Sequence, residues 1–385
     1  LFRPDGIQIV VTPLNLLGKQ NVTSLAKAGI RAITISSETA TPVNFQAIRA
    51  FHYRTIVVSP KQIMKPDGDF KSLLKSLLFI SRVVSIVIDE VHCLTEWGDF
   101  RPEYRQLGRL CYILPSNMPL LVASATLTKA ALSDITRLLH IQADKLVVIC
   151  RSSDRPNIKI GVRKIRYTLS SYADLAFLIP AGFKVGDPPA QKFLIFFDNI
   201  PESINAACSL RRRPPLELRV KIKWFNADMS TTYKEAELEN LVSGETWGLC
   251  TTASFGMGMD VADIFLAIQW RATCKIAALW QRFGHAVRNQ ELIGTALLLA
   301  EKQYFDDEQE AKAARKTRQE QTRKRKAKDA NLPVTGRTQG QNSRSCKRRK
   351  KEVDPGIDYL INAENRSAVM CWRKVFDVCF DNDTA

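Results

Sequence analysis

The stretch Val83-Val84-Ser85-Ile86-Val87-Ile88-Asp89-Glu90-Val91-His92 decides how the rest of the chain is read. Its first six residues are β-branched and apolar apart from Ser85, the composition of a strand buried on both faces of a parallel sheet. The run ends abruptly in two carboxylates. In open α/β sheets, ligands bind at the carboxyl ends of the strands. There Asp89 can hold Mg²⁺ through water, while Glu90 orients and deprotonates an attacking water. Over two residues an ordinary acidic turn reads the same, so the neighbouring sequence has to decide.

Outward from this stretch, short apolar runs alternate with helical patterns. Strands are expected over 7–12, 31–36, 55–59, 83–89, 120–124 and 146–150, with helices near 24–28, 70–78, 104–113 and 129–139. Polar residues and Pro156 break the pattern at 151–157, as a linker would. A second series follows, with strands over 192–197, 220–225, 248–252, 264–268 and 296–299 and helices over 200–211, 232–242 and 276–283. Strands alternating with helices imply βαβ units, here two successive α/β domains with parallel sheets.

Charge separates a folded body from a tail. Of the net +17, residues 311–351 hold sixteen Lys or Arg against Glu320 and Asp329, a balance of +14 that leaves +3 for everything else. From about Gln303 the chain reads as a charged helix that passes into a Gly/Gln/Ser/Lys stretch too poor in apolar residues to build a core. Lys324-Arg325-Lys326 and Lys347-Arg348-Arg349-Lys350-Lys351 have the form of nuclear-import clusters, or of a solvated helix face and a charged linker; both readings allow non-specific DNA affinity. No apolar run approaches a membrane span. Nine cysteines without a C-x-x-C pair suggest reduced, mostly buried thiols. The chain starts at Leu1 rather than Met and is read as a piece of a longer product.

After the carboxylates come His92 and then W-G-D-F-R-P-E-Y-R-Q-L-G from Trp97, where Trp97, Phe100 and Tyr104 interleave with Arg101 and Arg105. Aromatics beside arginines suit stacking on unpaired bases and contact with phosphates; packing of the same rings on the domain is the equal alternative. Ser124-Ala125-Thr126 after an apolar strand carries hydroxyls that can hydrogen-bond the carboxylates, or supply a helix cap at Thr126 or Thr128. Phe255-Gly256-Met257-Gly258-Met259-Asp260 follows Thr252, with glycines that let a backbone approach a ligand closely. Gln281-Arg282-Phe283-Gly284-His285-Ala286-Val287-Arg288 closes the second series.

In this order the blocks resemble the RecQ family of superfamily 2 DNA helicases, together with Ile9–Leu14 and Val57–Pro60 as the backbone-following motifs and Arg155-Pro156-Asn157 as the bridge between domains. The resemblance covers roughly residues 1–300. It implies two tandem RecA-like domains at 1–150 and 151–302, a basic segment at 303–356, and the start of a zinc-binding-like module at 357–385. It also implies a 3′-to-5′ DNA-unwinding ATPase in the nucleus, with ATP and Mg²⁺ as cofactors, DNA as partner and no membrane. Asp89, Glu90, His92 and Arg288 would be catalytic, with Asp89 on Mg²⁺ and Arg288 as the arginine finger. Ser124, Thr126, Asp260, Gln281 and His285 would couple the ATP site, and Trp97, Phe100, Arg101, Tyr104 and Thr252 would meet DNA.

Four departures stand out. The aromatic loop reads W-G-D-F, one residue short of the family's W-G-H-D-F, and Val261 stands where Lys commonly follows Asp260. His285 and Val287 replace an arginine and a glycine of the family's Q-R-x-G-R-x-G-R, which predicts weakened hydrolysis, since a neutral imidazole cannot replace a bidentate guanidinium. No G-x-x-x-x-G-K-[S/T] occurs in the 385 residues, and truncation upstream is the simplest expected reason. Cys371 resembles the first zinc-module cysteine, but only Cys379 follows it, so no zinc site is expected. A catalytically silent DNA-binding remnant and an RNA-directed relative are the competing functional readings.

Overall fold

The computed structural model describes residues 3–13, 15–96, 102–256, 259, 261–329, 353–367 and 369–382; the side chains of 15, 16, 96 and 323–329 are outside the description. The chain divides into two compact units. One comprises 1–156 with 253–262 and 376–385, the other 157–252 with 263–375.

Among the described residues the first unit holds five strands: β1 (Ile7–Val11), β2 (Ala32–Ile35), β3 (Thr55–Val58), β4 (Val83–Ile88) and β5 (Leu120–Val122). They pair in the order β2-β3-β1-β4-β5, and every pair is parallel. β3 is buried at all four positions because it lies inside the sheet with both faces covered. Ile7, Ile9, Val11, Ile56, Val58, Ile86 and Ile88 meet Phe45, Phe70 and Leu73 in one core. The polar break in the β4 sequence has a partner: Gln8 on β1 donates its side-chain amide to Ser85 Oγ at 3.1 Å, beside a register shift between the two strands. One parallel sheet thus delivers Thr12, Ser59, Asp89 and Ser124 to the same edge.

Local signals explain most helices. Lys129–Leu138 is capped by Thr128, whose hydroxyl accepts the Ala131 N–H. Pro42–Arg49, absent from the sequence reading, has the same kind of start: Thr41 accepts the Asn44 N–H and Pro42 opens the first turn. The segment 104–113, expected as one helix, is three short pieces, Pro102–Gln106, Leu107–Arg109 and Leu110–Ile113. Gly108 lets the chain pass the Leu138 carbonyl so closely that a Cβ there would meet its oxygen at 2.1 Å.

The strand expected at 146–150 is not formed. Val147 and Ile149 are 81% and 83% exposed, and among the described residues no neighbouring strand takes up the backbone groups of this run. β-Branched composition favours extended chain, but only a partner edge makes it a strand.

The second unit contains β6 (Ile158–Lys164), β7 (Phe193–Phe196), β8 (Ile222–Phe225), β9 (Gly248–Thr251), β10 (Leu266–Trp270) and β11 (Gly294–Ala300), in the all-parallel order β6-β11-β10-β7-β9-β8. β6 escaped the sequence reading because I-K-I-G-V-R-K, an edge strand, alternates charged with apolar residues. β10 runs two residues later than expected, through the fully buried Gln269. That amide is satisfied by the carbonyls of Trp270 and Arg271, so a polar residue that reads as a strand end sits inside one.

Helix Asp306–Asp329 begins with Asp306, Asp307 and Glu308, which suit the positive end of its dipole. Helix Pro355–Ile361 is fastened to the second unit. Asp354 caps it, and Gly356 approaches Ile276 so closely that a Cβ would lie 2.9 Å from the Ile276 Cβ. Arg366 then joins Asp306 and Asp358 at 2.9 and 2.7 Å. The expectation of mostly buried thiols fails: among the eight described cysteines, all free, Cys111, Cys150, Cys208 and Cys371 are exposed and only Cys93 and Cys250 are buried. Among the described residues no helix is long and apolar enough to cross a membrane.

Candidate active site

The carboxylate end of β4 is held by backbone bonds to both neighbouring strands. The Asp89 N–H donates to the Val11 carbonyl, and the Val91 N–H to that of Ala123, each at 2.9 Å. Between them the chain reverses through Glu90 at φ +51°, a left-handed conformation that a residue with a Cβ adopts at a cost. The reversal brings the Glu90 N–H to 2.9 Å from its neighbour's carboxylate oxygen Asp89 Oδ1. Partial burial pushes the Asp89 pKa up, and this N–H pulls it back. The second Asp89 oxygen has no protein partner among the described residues. A hard oxygen donor open in this way fits a Mg²⁺ ion held through water.

His92 is buried behind the carboxylates. Its Nδ1 lies 3.0 Å from Ser124 Oγ and 3.4 Å from Glu90 Oε2, and its Nε2 lies 3.7 Å from Cys93 Sγ. Burial lowers its pKa to about 4, so the ring is neutral at pH 7 and touches Glu90 as a dipole rather than as an ion pair. Two oxygens facing Nδ1 favour the tautomer that carries its proton there. Ser124 Oγ also accepts the Thr126 N–H at 3.4 Å. A chain of contacts therefore runs Glu90–His92–Ser124–Thr126. Thr128, not Thr126, is the helix cap, and the buried Thr126 Oγ1 has no hydrogen-bond partner among the described residues.

Tyr104 is corrected. It was expected to meet DNA, but it is 4% exposed, packs in the first core and donates its hydroxyl to the Pro13 carbonyl at 3.3 Å. A ring so enclosed has no face left for a base. Trp97, Phe100, Arg101 and Asp260 lie outside the described residues.

In the second unit, helix Ile276–Phe283 carries Gln281, half-buried, and Arg282, buried. Sequence reasoning passed over Arg282, yet it organises this end of the sheet. Its Nη1 pairs with Asp198 Oδ1 at 2.8 Å and also donates to Gln269 Oε1. Asp198 has the signal that singled out Asp89, a carboxylate ending an apolar strand. The buried His285 packs against the Phe196 ring at 5.9 Å, and the exposed Arg288 lies 3.5 Å from its Nδ1. Val287 holds φ +33°, the conformation for which glycine is suited. Thr252 sits half-buried just past β9, its N–H directed at the Phe225 carbonyl at 3.4 Å. Asn157 Nδ2 reaches the carbonyls of Val287, Asn289 and Leu292 at 3.1, 3.3 and 3.1 Å, tying the loop after the helix to the start of β6.

Two parallel α/β units with acidic and hydroxyl groups at the strand ends have a RecA-like fold, the fold of solved helicases, and residues 3–135 match the model of the DEAD/DEAH box helicase family. Among curated proteins the chain is similar to RecQ-type helicases. It is 27% identical to ATP-dependent DNA helicase Q1 of Rattus norvegicus over 74% of this chain and 45% of that protein. It is 29% identical to ATP-dependent DNA helicase RecQ of Haemophilus influenzae over 77% and 45%, and 27% identical to a putative ATP-dependent RNA helicase of Acanthamoeba polyphaga mimivirus over 74% and 49%. The chain thus spans less than half the length of these relatives. Among solved structures, Mycobacterium smegmatis helicase Lhr bound to ssDNA and AMP-PNP matches with a TM-score of 0.53 at 18% identity, over 77% of this chain and 40% of that one. A DEAD-box helicase bound to ssRNA and UDP-BeF matches with a TM-score of 0.58 at 15% identity, over 79% and 62%.

Proposed function

We propose that the chain is the motor portion of a RecQ-like, ATP-dependent DNA helicase that moves 3′ to 5′ and serves recombination and repair in the nucleus, with weakened hydrolysis. The observation that carries this reading is the Asp89–Glu90–His92–Ser124 constellation at the carboxyl edge of the first sheet. Asp89 would hold Mg²⁺, which when bound neutralises phosphate charge. Glu90 would take the proton of the attacking water. His92, neutral and fixed by Ser124, keeps the Glu90 carboxylate oriented; it is a positioning residue rather than a proton carrier. Arg288 keeps the transition-state role that the resemblance implies. DNA is favoured over RNA by the relatives at the level of whole sequence, and the basic segment 311–351 adds non-specific affinity and the nuclear-import clusters.

A second reading, a DNA-binding protein without turnover, is favoured by His285. A buried imidazole against Phe196 stands where the family carries an arginine. Steady-state ATP turnover with and without single-stranded DNA separates the two. The 385-residue polypeptide is expected to turn over slowly, because no G-x-x-x-x-G-K-[S/T] stretch is among its residues, and Glu90→Gln should remove what remains by about 100-fold or more. Robust turnover that ignores Glu90→Gln would overturn the assignment of the base. DNA binding without measurable hydrolysis or unwinding would establish the silent reading for this polypeptide.

A further inference from the structure

At the open edge of the second sheet, the carboxyl end of β6 and the turn Ala173–Leu178 enclose a cleft of about 520 Å³, lined among others by Arg163, Lys164, Arg166, Tyr167, Asp174 and Phe177. None of these residues belongs to the motifs that carry the helicase resemblance. Their charges are not equivalent. Lys164 is taken by Asp307 and Glu308 at 2.7 and 3.1 Å. Asp174 accepts the backbone N–H groups of Arg166 and Tyr167 at 2.9 and 3.0 Å, which shapes the turn. The side chains of Arg163 and Arg166 have no acidic partner among the described residues. Arg163 lies over the Phe177 ring at 5.2 Å. Phe177 and Tyr167 are 42% and 63% exposed, unusual for aromatic rings at the rim of a sheet.

We propose that this cleft binds an unpaired nucleic-acid strand, with bases stacked on Tyr167 and Phe177 and phosphates on Arg163 and Arg166. The proposal rests on the nucleic-acid reading above and adds a second contact region, at the sheet edge, to it. Two guanidiniums without an acidic partner match the phosphates, and exposed rings match the flat faces of bases, a combination that holds single strands without sequence preference. An acidic polypeptide would satisfy the arginines but leave both rings without a planar partner.

The test uses the full chain and a bromodeoxyuridine strand of about ten nucleotides, within the usual site size. Ultraviolet cross-linking should place the strand on the peptide bearing Tyr167 or Phe177. In fluorescence titrations, Arg163→Glu with Arg166→Glu should weaken binding about tenfold and reduce the slope of log affinity against log salt by about 1.4, the loss of two phosphate contacts. Tyr167→Ala with Phe177→Ala should weaken binding by a similar factor and leave that slope unchanged. Should the Glu pair fail to fold, Arg163→Gln with Arg166→Gln gives the same readout. Wild-type binding that none of these variants alters, with cross-links elsewhere, would overturn the cleft alone. Equal competition by polyglutamate, with the aromatic pair neutral, would also overturn it. A chain that binds no strand at all would overturn the nucleic-acid reading together with the cleft.

Discussion

His92 Nδ1 and Ser124 Oγ lie 3.0 Å apart, joining the carboxylate turn after β4 to the loop after β5. The bond is part-buried and links the ends of two adjacent parallel strands. Removing Ser124 leaves the buried His92 Nδ1 facing Glu90 Oε2 at 3.4 Å in place of the shorter hydroxyl contact. Ser124→Ala is expected to cost about 1 kcal/mol in urea unfolding. Combined with His92→Gln, the two losses should fall short of additivity by at least about 0.5 kcal/mol. Strictly additive values would show that the two side chains do not act together.

The same histidine gives the stability a pH dependence. Its folded pKa, about 4, lies below the usual imidazole value, so between about 6.5 and 4 the unfolded chain binds a proton that the folded chain refuses. The stabilisation is complete above pH 6.5 and is lost as the pH falls toward 4, by about 3 kcal/mol as an order of magnitude. Asp89, raised by burial, acts in the opposite sense and offsets part of this loss. Melting curves should flatten over this range in His92→Gln. An unchanged profile would contradict the buried, neutral assignment.

Val287 and Gly294 are matched to each other. A Cβ on Gly294 would lie 2.7 Å from Val287 Cγ2 and 3.3 Å from the Phe265 carbonyl oxygen. Gly294→Ala should therefore destabilise by about 1–3 kcal/mol through overpacking. Adding Val287→Gly removes the clashing methyls and relieves the φ of +33°, so the double variant should recover part of the loss. Thermal unfolding of the three variants checks this, and a double variant that falls by the sum of the singles would reject it.

Arg282 is a buried charge bonded to Asp198 and Gln269. Asp198→Asn should cost about 2 kcal/mol, below the 3–5 typical of a fully buried pair because Asp198 is partly exposed. Arg282→Met should cost less than Asp198→Asn, since it removes the charge instead of stranding it. Chemical denaturation of both variants measures the difference, and the reverse order would mean that Arg282 acts mainly through packing.

The sequence by itself determined the local features. Alternating apolar runs and caps such as Thr128 mark most of the elements, because strand burial and helix initiation depend on residues near in sequence. Asp89, Glu90 and Ser124 were legible as ends of apolar strands. Tertiary structure alone decided which candidates meet. Ser85 looked like a flaw until Gln8 paired with it across the sheet. Tyr104 looked like a DNA contact until the core enclosed it. The run 146–150 looked like a strand, but its backbone found no neighbouring edge. Arg282 became central because Asp198 and Gln269, far from it in sequence, converge on its guanidinium. Hydrogen bonding and burial depend on neighbours in space, and a carboxylate, a ring or a β-branched run has no fixed role until those neighbours are in place.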